Sequence, residues 1–156
     1  MTEDMTEDTA SVERVIPAPP ERIFALLADA GRHRDFDGSG TVRQAEGTPE
    51  PLKLGSTFGM GMRIVLPYSM TNTVVEYDEN RRIAWQPRPA YPLVGRLIGG
   101  RVWRYELEPV DGGTRVRETW DISQEAIPAV VRPLRGITVR NMTKTLERLE
   151  KLVSAA

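Results

Sequence analysis

R-V-W-R-Y-E-L-E-P-V-D-G-G-T-R-V-R-E-T-W-D-I-S, residues 101–123, reads as two strands folded back on one another at Asp111-Gly112-Gly113. Asp-Gly between two alternating segments is a strong hairpin signal, because the turn needs positive φ and glycine adopts it at no steric cost. In the first strand Trp103, Tyr105 and Leu107 share a face against Val102, Arg104, Glu106 and Glu108. In the second, Val116, Glu118, Trp120 and Ile122 oppose Arg115, Arg117, Thr119 and Asp121. Each strand thus has one aromatic, apolar face and one charged face, as in an antiparallel sheet covered on a single side.

Period two continues upstream of the hairpin. Phe58, Met60, Met62 and Ile64 alternate with Gly59, Gly61, Arg63 and Val65, while 71–77 and 82–86 form a second hairpin around Asp78-Glu79-Asn80. Residues 41–123 therefore read as an antiparallel meander. A further strand is expected over 11–16, stopped by Pro17-Ala18-Pro19-Pro20 because proline cannot donate to a ladder. Pro20 suits the first turn of a helix and Glu21 complements its positive end; Ile23, Phe24, Leu26 and Leu27 give that helix an apolar face before Gly31 ends it. A short second helix is expected over 32–37, closed by Gly38-Ser39-Gly40.

Downstream, residues 126–153 return to helical spacing, with Pro133 separating a short helix from a longer one. Leu134, Thr138, Asn141, Met142, Thr145, Leu149 and Leu152 form one stripe at 100° per residue, and Arg140, Lys144 and Lys151 lie opposite with Glu147. The only large apolar surface that can take this stripe is the inner face of the sheet. Close packing rewards volume, so a plain core would carry leucine or isoleucine in mid-stripe. Thr138, Asn141 and Thr145 stand there instead, which leaves room for a ligand. The expected pocket is lined by Phe58, Met60, Met62, Trp85, Trp103, Tyr105, Glu118 and Trp120 from the sheet and by Thr138, Asn141, Met142 and Thr145 from the helix. The alternative is that these hydroxyls and the amide merely bond to the helix backbone or to buried water.

Composition narrows the chemistry. At 156 residues, 40% hydrophobic and 28% charged, one globular domain over 11–156 is expected, preceded by the acidic direct repeat M-T-E-D-M-T-E-D-T-A as a disordered tail over 1–10. No cysteine is present, which removes thiol catalysis, disulfides, cysteine-held zinc and iron–sulfur clusters. His33 is the one histidine, so no His-rich metal site can form, and neither metal nor cofactor is expected. Its charged surroundings, R-H-R-D-F-D, read as solvent-facing. A net charge of -1, and no aromatic platform beside Arg140, Lys144, Arg148 and Lys151, argue against a nucleic-acid partner. The apolar runs fall far short of the roughly 20 residues a spanning helix needs, and no signal segment opens the chain, so a cytoplasmic place is expected without stable membrane insertion. Transient membrane contact stays open, as does the choice between monomer and homodimer. Gly59-Met60-Gly61 lacks the third glycine and the following helix of a dinucleotide fingerprint.

Two features carry candidate chemistry. Glu118 shares a face with Val116 and Trp120, where a desolvated carboxyl would move into general acid/base range. A structural ion pair with Arg101 is the preferred reading, so no residue is assigned a catalytic role. The segment P-A-Y-P-L-V-G-R-L-I-G-G, residues 89–100, is apolar yet rich in proline and glycine. It is expected to be a lid, with Tyr91, Leu93, Val94, Leu97 and Ile98 touching ligand or membrane, or else an irregular edge strand.

I16-P-A-P-P-E-R-I-F-A-L-L-A-D29, followed by the meander and the long last helix, resembles the SRPBCC superfamily of START-type lipid carriers, Bet v 1-like proteins and polyketide cyclases. The A-P-P-E helix opening and the D-G-G-T hairpin carry the resemblance, which extends over about 11–153 and is closest to the bacterial polyketide cyclase/dehydrase group. It implies an α+β helix-grip fold: a curved seven-stranded antiparallel sheet wrapped around a long C-terminal helix, with two short helices after the first strand. It also implies binding or transport of a hydrophobic small molecule, whether lipid, polyketide or aromatic metabolite. A cyclase/dehydratase using Glu118, Arg101, Asn141 and Tyr105 is one rival, and a co-chaperone-like or antitoxin-like interaction module is another. Where such proteins often carry a tryptophan in the second helix, this chain has Phe36.

Overall fold

Alternation along the middle of the chain is realised as one antiparallel sheet in the computed structural model, which describes residues 4–5, 8–39, 42–46, 51–63, 67–89 and 99–154. In chain order come β1 (Asp4–Met5), β2 (Thr9–Ile16), α1 (Pro20–Leu27), a 3-10 turn (Ala30–Arg32), α2 (His33–Phe36), β3 (Val42–Glu46), β4 (Thr57–Arg63) and β5 (Pro67–Asp78). There follow β6 (Arg82–Pro89), β7 (Val102–Val110), β8 (Gly113–Asp121), α3 (Pro128–Val131), a second 3-10 turn (Arg132–Leu134) and α4 (Arg135–Ser154). The strand order is β1-β2-β8-β7-β6-β5-β4-β3, a meander whose last strand, β8, returns to pair with β2. Pro87 and Pro89 are tolerated in β6 because its ladder with β7 stops at Trp85 opposite Trp103.

β1 extends the seven expected strands by two residues, with Asp4 opposite Ser11 and Met5 opposite Ala10. Ordered pairing therefore starts inside the acidic repeat expected to be disordered, and β2 begins at Thr9. Asp8 helps to hold this end: its carbonyl accepts from the Ile122 amide at 2.9 Å, and its carboxylate accepts from Arg132 at 3.0 Å. α1 has Pro20 in its first turn and buries Ile23, Phe24 and Leu27. It ends before Gly31 because the Asp29 carboxylate takes the Gly31 amide at 3.0 Å and starts the 3-10 turn instead.

The long helix α4 buries Thr138, Met142, Thr145, Leu146, Leu149 and Val153. Leu134, expected on that stripe, is 44% exposed because it lies in the 3-10 turn, whose tighter winding shifts it out of phase with α4. Two arginines tie the helix down: Arg14 of β2 meets Glu150 at 2.6 Å, and Arg22 of α1 donates to the Val153 carbonyl at 2.7 Å. The core between helix and sheet includes Val12, Ile16, Ile23, Leu27, Ile83, Val116, Trp120, Met142, Leu146 and Leu149. Among the described residues no helix is long and apolar enough to cross a membrane.

The other face of the sheet is charged and satisfies itself. Glu13, Arg117, Glu106, Arg82 and Asp78 are successive cross-strand neighbours from β2 to β5, alternating in sign. Arg117 reaches Glu13 at 2.9 Å and Arg82 reaches Glu106 at 2.8 Å. One row away, Arg104 passes over the small Ala84 to grip both carboxylate oxygens of Glu76. Opposite charges placed directly across strands stabilise the pairing without needing a partner molecule.

Candidate functional site

Register puts Glu118 of β8 between Val12 of β2 and Tyr105 of β7, on the face turned toward α4. The Tyr105 hydroxyl donates to Glu118 Oε1 at 2.8 Å, and both residues are 3% exposed. Arg101 is not the partner expected from alternation. It precedes β7, so period two does not reach it, and it pairs with the buried Glu125 at 2.9 Å. Burial pushes the Glu118 carboxyl up to about 8, against the Tyr105 hydrogen bond and helped by the negative charge of Asp37. Burial likewise pushes the Tyr105 phenol well above its ordinary value, with the Glu118 charge acting in the same sense.

An aromatic stack leads away from this pair. Tyr105 lies on Trp85 with ring centres 5.4 Å apart, and Trp85 lies on His33 at 4.6 Å. Phe36 and Phe58 each meet the imidazole edge-on at 5.3 Å. The reading of His33 as a surface residue is thereby corrected: it is 3% exposed, and its Nε2 donates to the Leu27 carbonyl at 2.8 Å. Desolvation holds its pKa down to about 4, so the ring is neutral. His33 and Phe36 stand at i and i+3, the one inward face that a four-residue helix can offer, while Arg32, Arg34 and Asp35 point outward.

Of the residues expected to line a pocket, Phe58, Trp85, Tyr105, Glu118, Trp120, Thr138, Met142 and Thr145 are buried, while Met62 and Trp103 pack half-buried against the same core. Asn141 is half-buried, and the side chain of Met60 lies outside the described residues. So do the four lid residues Tyr91, Leu93, Leu97 and Ile98, and Val94 with them. The room expected opposite Thr145 is occupied by chain. Gly38 docks there so closely that a Cβ would lie 2.0 Å from the Asn141 carbonyl, and its amide donates to Thr145 Oγ1 at 2.9 Å. Thr145 in turn donates to the Asn141 carbonyl at 3.0 Å. The backbone-bonded alternative therefore holds for Thr145.

What marks the interior is unmet polarity. Among the described residues, Glu118 Oε2, Trp120 Nε1, His33 Nδ1 and Asn72 Nδ2 are buried without a hydrogen-bond partner. Asn72, which sequence reasoning missed, sits on β5 opposite Phe58, two residues from Val74, whose neighbour on β6 is Trp85. A lone amide at an inward period-two position was its signal. Each unmet buried group costs about 1–3 kcal/mol, and four together approach the net stability of a small domain. Such a set persists where water or a ligand answers it.

An open groove of about 730 Å³ lies elsewhere, lined chiefly by the charged ladder of Glu13, Glu76, Arg82, Glu106 and Arg117. None of the expected pocket residues lines it, and its charges are engaged with one another, so it is not the candidate site. No cluster of three or more metal-binding side chains occurs among the described residues.

The family described as polyketide cyclase / dehydrase and lipid transport matches residues 7–154. An uncharacterized protein of Mycobacterium tuberculosis is 39% identical over 108 residues, which is 68% of this chain and 44% of that relative. The match thus spans less than half of the relative's length. A crystal structure of a Nitrosomonas europaea protein superposes with a TM-score of 0.74 at 18% identity, covering 97% of each chain. A Mycobacterium smegmatis protein gives 0.74 at 16% identity over 99% of this chain and 98% of its own. At such identities the likeness establishes the helix-grip arrangement and leaves the ligand open.

Proposed function

Because the chain belongs to the polyketide cyclase / dehydrase and lipid transport family, we propose that it binds a hydrophobic small molecule between α4 and the inner face of the sheet. A lipid, polyketide or aromatic metabolite fits the aromatic surroundings of Trp85, Tyr105, Trp120 and Phe58. The observation that carries the reading is the group of four buried polar atoms without partners on that aromatic surface. Apolar surroundings with a few orienting polar groups are the usual lining of a small-molecule site. Action in the cytoplasm is part of the proposal. Titration with the neutral dye Nile red tests it: saturable one-to-one binding with quenching of tryptophan fluorescence is expected. Absence of saturable binding by Nile red and by long-chain fatty alcohols would remove the basis for the reading.

A second, enzymatic reading is favoured by one contact, the hydrogen bond between Glu118 and Tyr105 in a desolvated setting. A carboxyl pushed up to about 8 can both give and take a proton near neutrality. Arg101 plays no part in this version, because Glu125 engages it. Accelerated deuterium exchange at the acetyl group of 2-acetylnaphthalene, lost in Glu118→Gln, would support a cyclase/dehydratase. An unchanged exchange rate leaves a binder.

A further inference from the structure

Donors outnumber acceptors among the unmet atoms. His33 Nε2 gives its proton to the Leu27 carbonyl, so in the neutral ring Nδ1 presents a lone pair and is an acceptor. Trp120 Nε1 and Asn72 Nδ2 carry hydrogen and can only donate. Glu118 uses Oε1 to accept from Tyr105, which leaves Oε2 open to the interior.

The charge state of Glu118 follows from what surrounds it. From β7 it faces the Tyr105 hydroxyl, from β2 the apolar Val12, and from the turn after α2 the like charge of Asp37. The buried face of α4 offers Thr138, Met142, Thr145 and Leu146, none charged, while Arg140 and Lys144 are exposed. Arg14, further along β2, is taken by Glu150. His33, at the far end of the stack, is neutral. A buried carboxyl whose charged neighbour among the described residues is an anion keeps its proton, so Oε2 becomes a third donor.

Resting on the ligand-binding reading above, we infer that the interior selects uncharged ligands bearing a hydrogen-bond-accepting oxygen of the ketone or ester kind, with Glu118 and Trp120, two residues apart on the same face of β8, as donors. A hydrocarbon of the same shape leaves the donors unmet, and a site built to hydrogen-bond discriminates strongly against a ligand that cannot. A carboxylate would bring a second anion into the field of Asp37, which already holds the proton on Glu118. The donor at Glu118 is also lost in alkali, where the ionised carboxylate repels the ligand oxygen. His33 and Tyr105 do not titrate in that range, since burial holds the first low and the second high.

Three naphthalenes of one shape test this: 2-acetylnaphthalene, 2-ethylnaphthalene and 2-naphthoate, titrated against the intact chain at pH 6.5 and 9.5 with tryptophan quenching as readout. At pH 6.5 the ketone is expected to bind about tenfold or more tighter than the ethyl compound, the worth of about one hydrogen bond, with the carboxylate weakest. Raising the pH should erode the ketone's advantage in wild type but not in Glu118→Gln, whose amide donates at both values. Trp120→Phe should reduce that advantage at both. Equal binding of ketone and ethyl compound, or tightest binding of the carboxylate, overturns the inference while leaving an apolar site intact. The same pH response in wild type and Glu118→Gln overturns the role of Glu118. Failure of all three to bind removes the ligand reading itself, and this inference with it. The wild-type comparison needs no variant, so a folding defect in one cannot obscure the result.

Discussion

Glu118 and His33 are buried titratable groups that shift in opposite senses, and their sum sets how stability should vary with pH. Glu118 moves from 4.5 up to about 8, so above pH 4.5 the unfolded chain has lost a proton that the folded chain keeps. Its contribution therefore falls as pH rises through that interval, by about 1.4 kcal/mol per unit. His33 moves from 6.5 down to about 4, so between those values the unfolded chain holds the extra proton and stability rises with pH. From pH 4.5 to 6.5 the two slopes oppose and largely cancel; from 6.5 to 8 only Glu118 acts. Urea unfolding should give a plateau between pH 5 and 6.5, then a loss of about 2 kcal/mol by pH 8. Glu118→Gln should abolish that loss and uncover a rise between pH 4.5 and 6.5 from His33 alone. A wild-type profile flat from 6.5 to 8 would show that Glu118 is ionised in the folded chain. The inward place of Glu118 was legible because Val116 and Trp120 flank it at period two. His33 was not legible, because three of its neighbours are charged and a four-residue helix is too short to display a period.

Thr145 and Gly38 carry the corresponding lesson for elements. The stripe on α4 was readable from spacing, and its small polar members did signal that something other than a leucine core meets the helix. Sequence could not tell whether that something is a ligand or another stretch of backbone, because the answer depends on where the α2–β3 turn lands. It lands on α4, with the Gly38 amide on Thr145 Oγ1 and the Arg148 guanidinium on the Asp37 carbonyl. Gly38→Ala would drive a Cβ into backbone atoms at Asn141 and Thr145, which cannot move as a side chain tip could. A loss of about 1–3 kcal/mol is expected. Gly136→Ala is the counterpart on the exposed start of the same helix, where an added Cβ meets nothing within 4 Å. It should gain up to about 1 kcal/mol from helix propensity alone. Thr145→Val keeps the shape but leaves the Gly38 amide without its acceptor, at a cost of about 1–3 kcal/mol. Parallel urea melts of the three variants check the set, and equal stabilities for Gly38→Ala and Gly136→Ala would refute the docking argument.

Over the whole molecule the sheet separates two roles. Alternation alone told which face of each strand is charged, and chain order told that a long helix must cover the other. Pairing of particular charges was beyond the sequence, because it depends on register, which turns and bulges set, including the shift between Val74 and Glu76 on β5. Once register is known, Glu13, Arg117, Glu106, Arg82 and Asp78 alternate in sign across the outer face, whereas among the described residues the inner side leaves four polar atoms unanswered. Stability should therefore respond to the outer face and ligand binding to the inner one. Arg104 and Glu76 are 20% and 28% exposed and meet through both carboxylate oxygens; Arg104's hydrogen bonds hold the Glu76 carboxyl below its usual range. A double-mutant cycle to alanine should give a coupling of about 1–2 kcal/mol. Arg115 and Glu108, 42% and 67% exposed and meeting at 3.1 Å, should couple by less than about 0.5 kcal/mol. Nile red affinity should stay unchanged in all of these variants once each is measured well below its melting temperature. A tenfold loss of dye binding in Arg104→Ala, with the fold intact, would move the binding site to the charged face and leave the interior as core.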